Sequence, residues 1–153
     1  MTTAIESYGT LHYSPFILAP LFEAFYERAI VQPRNVLLCY LVLPLVLHPQ
    51  CRRFFRNAVL SSSLTTFAHE TSRLYGLPER VQESRELTHA CMQLAVDAGG
   101  IRISDDLSVA FRHRVLDPSA CPQDAERAAR NLAKVLRRYD VPAVYRQLGM
   151  RKL

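Results

Sequence analysis

The sequence predicts a mainly α-helical chain with a small β-hairpin: a single domain with a helical half over about residues 14–76 and a winged-helix-like half over about residues 78–153. Three observations carry this. Apolar residues recur at helical spacing in segments that tend to open on proline and close on glycine. Over residues 101–111 the period switches to strict alternation. Residues 36–47, VLLCYLVLPLVL, show no polar face under either period, so that segment needs cover on every side.

The first helix is expected in SPFILAPLFEAFYERA, with Ser14 as N-cap and Pro15 at the first helical position. Ile17, Leu21, Ala24, Phe25 and Arg28 fall at helical spacing and predict an amphipathic helix, which Pro20 kinks unless the true start lies there. The apolar block predicts a kinked buried helix, because Pro44 would delete a ladder bond from a central strand. HPQCRRFFRNA reads as a short helix started by Pro49, with Arg52, Arg53 and Arg56 outward and Phe54 and Phe55 partly inward. SSSLTTFAHETSRLYG supplies serine caps, apolar positions at Leu64, Phe67, Ala68, Thr71 and Leu74, and a stop at Gly76. A longer helix from Pro78 presents Val81, Ser84, Thr88, Cys91, Met92 and Ala95 on one face and ends at Gly99 and Gly100.

IRISDDLSVAFR then sets Ile101 and Ile103 against Leu107, Val109 and Phe111 across Asp105-Asp106, which predicts a hairpin with a tight turn. Helix, Gly-Gly and hairpin in this order make the wing half of a winged-helix domain. The last long helix is expected to begin at CPQDAERAARNLAKVLRRY, with Pro122 near its start and Asp124 and Glu126 suiting its positive end. Ala125, Ala128, Ala129, Leu132, Val135, Leu136 and Tyr139 form its buried stripe. Arg127, Arg130, Lys134, Arg137 and Arg138 share the other side as a basic ridge, which Arg102, Arg112 and Arg114 extend if the hairpin lies beside it. VPAVYRQLGMRKL adds a short helix and a basic tail.

With 153 residues, 49% of them apolar and 22% charged, the chain has the composition of a folded protein that closes a core without metals or disulfides. The apolar block is shorter than the roughly 20 residues that a membrane-crossing helix needs. The amino end, MTTAIESYG, has no basic leader followed by an apolar run, so a cytoplasmic location without a membrane partner is expected. Cys39, Cys51, Cys91 and Cys121 form no C-x-x-C pair and read as reduced residues of the core or its boundary. Of the net charge of +5, residues 112–153 carry all the excess, with ten Lys/Arg against four Asp/Glu. Such a surface suits phosphate or an acidic partner.

Catalysis needs converging groups, and the phosphate-loop, dinucleotide, nucleophile-elbow and zinc-protease motifs are all missing. His48-x-x-Cys51 and His89-x-Cys91 match no zinc finger or ribbon spacing and read as structural, as do the isolated His69 and His113. No enzymatic activity, metal or cofactor is expected. The basic ridge is either a solvated helix face or a contact for DNA or an acidic protein, and Arg52, Arg53 and Arg56 form a second candidate interface.

The motifs SPFILAPLFEAFYE, LVLPLVLHPQCRR, SSLTTFAHE, ACMQLAVDAGGIRIS and VYRQLGM, in this order, resemble the small middle component of bacterial three-component ABC systems, which include Lamassu-type anti-phage and anti-plasmid defence. The likeness runs over nearly the whole chain. Ser14-Pro15 stands where members typically carry Asn-Pro, and Met150-Arg151-Lys152 where they carry Val-Arg-Pro. None of these motifs is catalytic. The resemblance implies an adaptor that accompanies an SMC- or Rad50-like ATPase and an effector, often a nuclease, with DNA reached through the complex. The competing reading is a free-standing winged-helix DNA-binding protein, whose helix from Pro78 would enter the major groove. Its mixed Gln82, Glu83, Arg85, Glu86 and Gln93 make it a poor groove reader.

Overall fold

Helix α1 (Pro15–Arg28) opens with Ser14 in an extended conformation and Pro15 in the first turn, in a computed structural model that describes residues 14–150. The MTTAIESYG end and the Arg151-Lys152 tail lie outside the described residues. Pro20 neither ends nor starts the helix: the bond it deletes is to the carbonyl of Phe16, an exposed residue of the first turn. The amphipathic expectation for α1 is overturned. Every residue from Leu18 to Tyr26 is buried, including Glu23, because α6, α7 and β2 all pack on this helix.

The apolar block splits into a 3-10 turn (Asn35–Leu38) and helix α2 (Cys39–Val46), in which only Tyr40 is not fully buried. Pro44 sits inside α2, and Arg80 Nε donates 3.3 Å to its carbonyl, one of the helix-end acceptors. Helix α3 (Pro49–Arg56) is capped by His48, whose Nδ1 accepts from the Cys51 amide. Phe55 is wholly buried and Phe54 half-buried, and both rings pack within about 5 Å of Phe67.

The single helix expected before Gly76 is two: α4 (Leu64–His69) and α5 (Thr71–Leu74), separated by Glu70 at φ −83, ψ 97. The break is held by Arg73. Its guanidinium lies 4.6 Å over the Phe54 ring and donates 3.3 Å to the carbonyl of Phe67, which loses its helical partner there. Helix α6 (Leu77–Asp97) buries Val81, Ser84, Thr88, Cys91, Met92 and Ala95, the face expected from the sequence. It ends in a Schellman turn, with Gly99 at φ +85 and the Gly100 amide bonded to the Ala95 carbonyl.

Strands β1 (Ile101–Ile103) and β2 (Val109–Phe111) pair antiparallel, with Ile101 opposite Phe111 and Ile103 opposite Val109. The turn is looser than expected. Residues 104–108 form the loop, and Leu107 leaves the alternation at φ +65 with its side chain about half exposed. Two backbone bonds explain this, since the Arg34 and Val36 amides donate to the carbonyls of Asp106 and Leu107. Asn35, between them, is fully buried: its Nδ2 donates to the carbonyls of Ile30 and Val109, and its Oδ1 accepts from the Val109 amide. One side chain thus pairs both polar groups of a β2 residue, as a neighbouring strand would.

A 3-10 turn (Pro118–Ala120), helix α7 (Ala125–Leu136) and helix α8 (Val141–Gln147) complete the described chain. Helix α7 starts three residues after Pro122 because Asp124 adopts φ +66 as its N-cap. Its expected stripe is buried, with Tyr139 half-buried beyond the helix end. It packs on α1 and α3, while α2 packs on α6 and α4 on α8. A continuous apolar cluster runs from Leu18 to Met150. Among the described residues no helix is long and apolar enough to cross a membrane.

Candidate functional site

Folding divides the basic ridge of α7 into two ends with different electrostatics. At the amino end, Glu126 accepts from Arg114 Nη1 at 2.8 Å and from Arg130 Nη2 at 2.6 Å. Arg114 also reaches Glu27 at 3.7 Å and, with Nε, the wholly buried Glu23 at 3.4 Å. That last approach is ionic rather than an aligned hydrogen bond, because Arg114 Nε has no hydrogen-bond acceptor. The Glu23 carboxyl is held by the amides of Val115 and Leu116, at 3.3 and 3.1 Å. Arg28 stands 3.6 Å from Glu27, so three carboxyl groups face three guanidinium groups in one cluster. Arg56 pairs with Asp124 at 3.1 Å.

The carboxyl end differs. Lys134, Arg137 and Arg138 are exposed, and among the described residues none of them pairs with a carboxylate. Arg137 Nε donates 2.6 Å to the carbonyl of Arg28, and Arg138 Nη2 donates 3.2 Å to that of Leu60. Carbonyls are neutral, so these bonds fix the side chains and leave their charge uncompensated. Arg127 and Arg53 are also exposed, and Arg52 is half-buried. Arg102 and Arg112 stand exposed on the hairpin, which packs through β1 on α6 and through β2 on α1.

The other groups with chemical potential are spent on structure. Burial pushes the thiols of Cys39 and Cys91 up to about 12, and those of Cys51 and Cys121 up to about 11. They are poor nucleophiles at neutral pH. Cys91 and Cys121 point at the carbonyls of Pro15 and Ile17 in the first turn of α1. His89 Nε2 lies 2.9 Å from the Tyr40 hydroxyl. Tyr145 donates to the Leu37 carbonyl, and burial raises its hydroxyl far above the ordinary range. Among the described residues no group of three or more His, Cys, Asp or Glu could hold a metal ion.

Sequence reasoning therefore found the cations but not their carboxyl partners. It missed Glu23 and Asn35 as buried polar anchors, and Asn131, whose Nδ2 donates 2.8 Å to the carbonyl of Phe55 and ties α7 to α3.

Helix α7 thus carries a charge-balanced cluster at its amino end and, among the described residues, cations without carboxylate partners at its carboxyl end. The family model described as ABC-three component (ABC-3C) system Middle Component 3 matches residues 2–152. The chain belongs to that family and is a middle component of an ABC-3C system. No curated protein and no solved structure matches it.

Proposed function

We propose that the chain is a non-catalytic adaptor that joins an SMC- or Rad50-like ATPase to a nuclease-type effector in a cytoplasmic, Lamassu-type defence complex against phages or plasmids. The observation that carries the reading is membership of the middle-component family over nearly the whole chain. The geometry agrees with it. Cysteine thiols are held protonated by burial, and the polar side chains of Glu23, Asn35 and Arg80 bind one part of the scaffold to another.

The hairpin favours an adaptor over a free DNA reader. Its loop is fastened to residues 34–36 instead of standing free as a wing, and the exposed Gln82, Glu83, Arg85 and Glu86 of α6 offer mixed charge to a groove. The test is co-expression of the full chain with the ATPase and effector of its own system, followed by purification through a tag on the chain. Both proteins should co-elute, and the isolated chain should neither turn over ATP nor cut DNA. Failure of either protein to associate, or ATP turnover that survives removal of contaminating ATPases, overturns the proposal.

A further inference from the structure

The two arginines that follow α7 each bond a backbone carbonyl at or near an exposed apolar pair. Arg138 holds the carbonyl of Leu60, and Leu60 and its neighbour Val59 are 94% and 67% exposed. Arg137 holds the carbonyl of Arg28, and two residues further on Ile30 and Val31 are 46% and 57% exposed. Through these two bonds both segments are tied to the helix end that carries Lys134, Arg137 and Arg138. Among the described residues Leu60 is the most exposed large apolar side chain, and the cation beside it, Arg138, meets no carboxylate there.

Solvent alone explains neither half of this arrangement. An arginine restrained on a backbone carbonyl has already given up much of its rotamer freedom, so less is lost when a partner takes its remaining donors. Apolar side chains beside it gain only if something covers them. We infer that this surface binds an acidic amphipathic helix of a partner protein, its leucine-type residues on Val59-Leu60 and Ile30-Val31 and its carboxylates on Lys134, Arg137 and Arg138. The alternative occupant, duplex DNA, offers phosphates for the cations but a strongly hydrated backbone for the apolar pairs. Arginine is enriched at protein interfaces, and two of the three cations here are arginines. The inference rests on the adaptor reading, because it names the chemistry of the partner that the adaptor grips.

The test uses the full chain and three variants: Leu60→Ser, Lys134→Gln and the double. Both side chains are exposed, so each variant should fold, which thermal melts check. The probes are a synthetic peptide of roughly 20 residues with leucine on one helical face and glutamate on the other, the same composition scrambled, and a duplex DNA. Wild type should bind the amphipathic peptide, each single substitution should weaken it about 5- to 10-fold, which is about 1 kcal/mol or slightly more, and the scrambled peptide should bind far less. Binding of the peptide that is indifferent to Leu60→Ser overturns the inference. So does duplex binding that exceeds peptide binding and depends on Lys134 but not on Leu60, which would give the surface to nucleic acid. Assembly with the ATPase and effector is measured separately. Variants that assemble like wild type sink this surface and leave the adaptor standing; a wild type that binds the peptide but neither protein does the reverse.

Discussion

The carboxyl group of Glu23 occupies the place where a side chain on residue 100 would begin: a Cβ on Gly100 would collide with Glu23 Oε2. The absence of a side chain at the end of α6 and the presence of a carboxyl group in the middle of α1 are therefore one feature. Gly100→Ala should destabilise the protein by about 2 kcal/mol or more, by overpacking and by pushing the carboxyl group off the Val115 and Leu116 amides. Glu23→Ala should cost about 2–3 kcal/mol, because it leaves the Val115 and Leu116 amides without their acceptor, while Arg114 keeps Glu126 and Glu27. The double variant should cost clearly less than the sum, since removing the carboxyl group makes room for the methyl. Denaturant unfolding of the four proteins measures the coupling, and strict additivity would show that the two residues do not contend for one space.

Asn35 needs both of its amide atoms. Asn35→Ala leaves the amide and carbonyl of Val109 without their partner and should lose about 2–4 kcal/mol. Asn35→Asp should be worse near neutral pH, because a carboxylate points an acceptor at the Ile30 and Val109 carbonyls. The gap between the two variants should narrow in acid, where a protonated carboxyl group can donate again. Denaturant midpoints at two pH values decide this, and an aspartate variant more stable than the alanine at pH 7 would contradict it.

Charge reversal along α7 should separate its two ends. Arg130→Glu faces Glu126 at the place of a 2.6 Å ion pair and should lose about 1–2 kcal/mol of stability. Lys134→Glu, one turn further on, should change stability by less than about 0.5 kcal/mol. Equal losses by thermal melting would mean that the amino-end cluster does not anchor the helix.

The buried thiols set an alkaline limit. In the unfolded chain a cysteine loses its proton near pH ~8.5, whereas Cys39 and Cys91 in the fold keep theirs to about 12. Above pH ~8.5 the unfolded state therefore binds fewer protons than the native one, and stability falls as pH rises until the folded values are reached. Tm should decline steadily between pH ~8.5 and ~11. Cys39→Ala should lower Tm at pH 7 through the cavity it leaves, yet make the alkaline decline shallower. An unchanged slope in that variant would assign the decline to other groups.

The sequence made the fold legible wherever proline, glycine and periodicity agreed. The inner face of α6 and the buried stripe of α7 are such cases, and so is the Gly99 stop. Legibility failed where a residue's role depends on a partner far along the chain. Glu23 reads as the polar side of an amphipathic helix until Arg114 and the Val115 amide, 92 residues away, enclose it. Leu107 fits the alternation of a strand until the bonds from residues 34 and 36 pull it into a loop. The basic ridge was visible as a helix face. Its division was legible only in part: Glu126 stands one helical turn before Arg130, and no acid stands so before Lys134, but the arrival of Arg114 at Glu126 needs the fold.

The enclosure of α1 also bears on how the chain is made. Helix α1 is synthesised well before α7, one of the elements that cover it. The bonds that close the structure join residues 74, 92 and 109 positions apart. Synthesis at roughly 5–20 residues per second therefore leaves α1 without that cover for several seconds, so folding is postponed until α7 has been made. A nascent chain in that condition is a substrate for chaperones. A fragment that stops before residue 125 lacks α7 and keeps that exposure permanently.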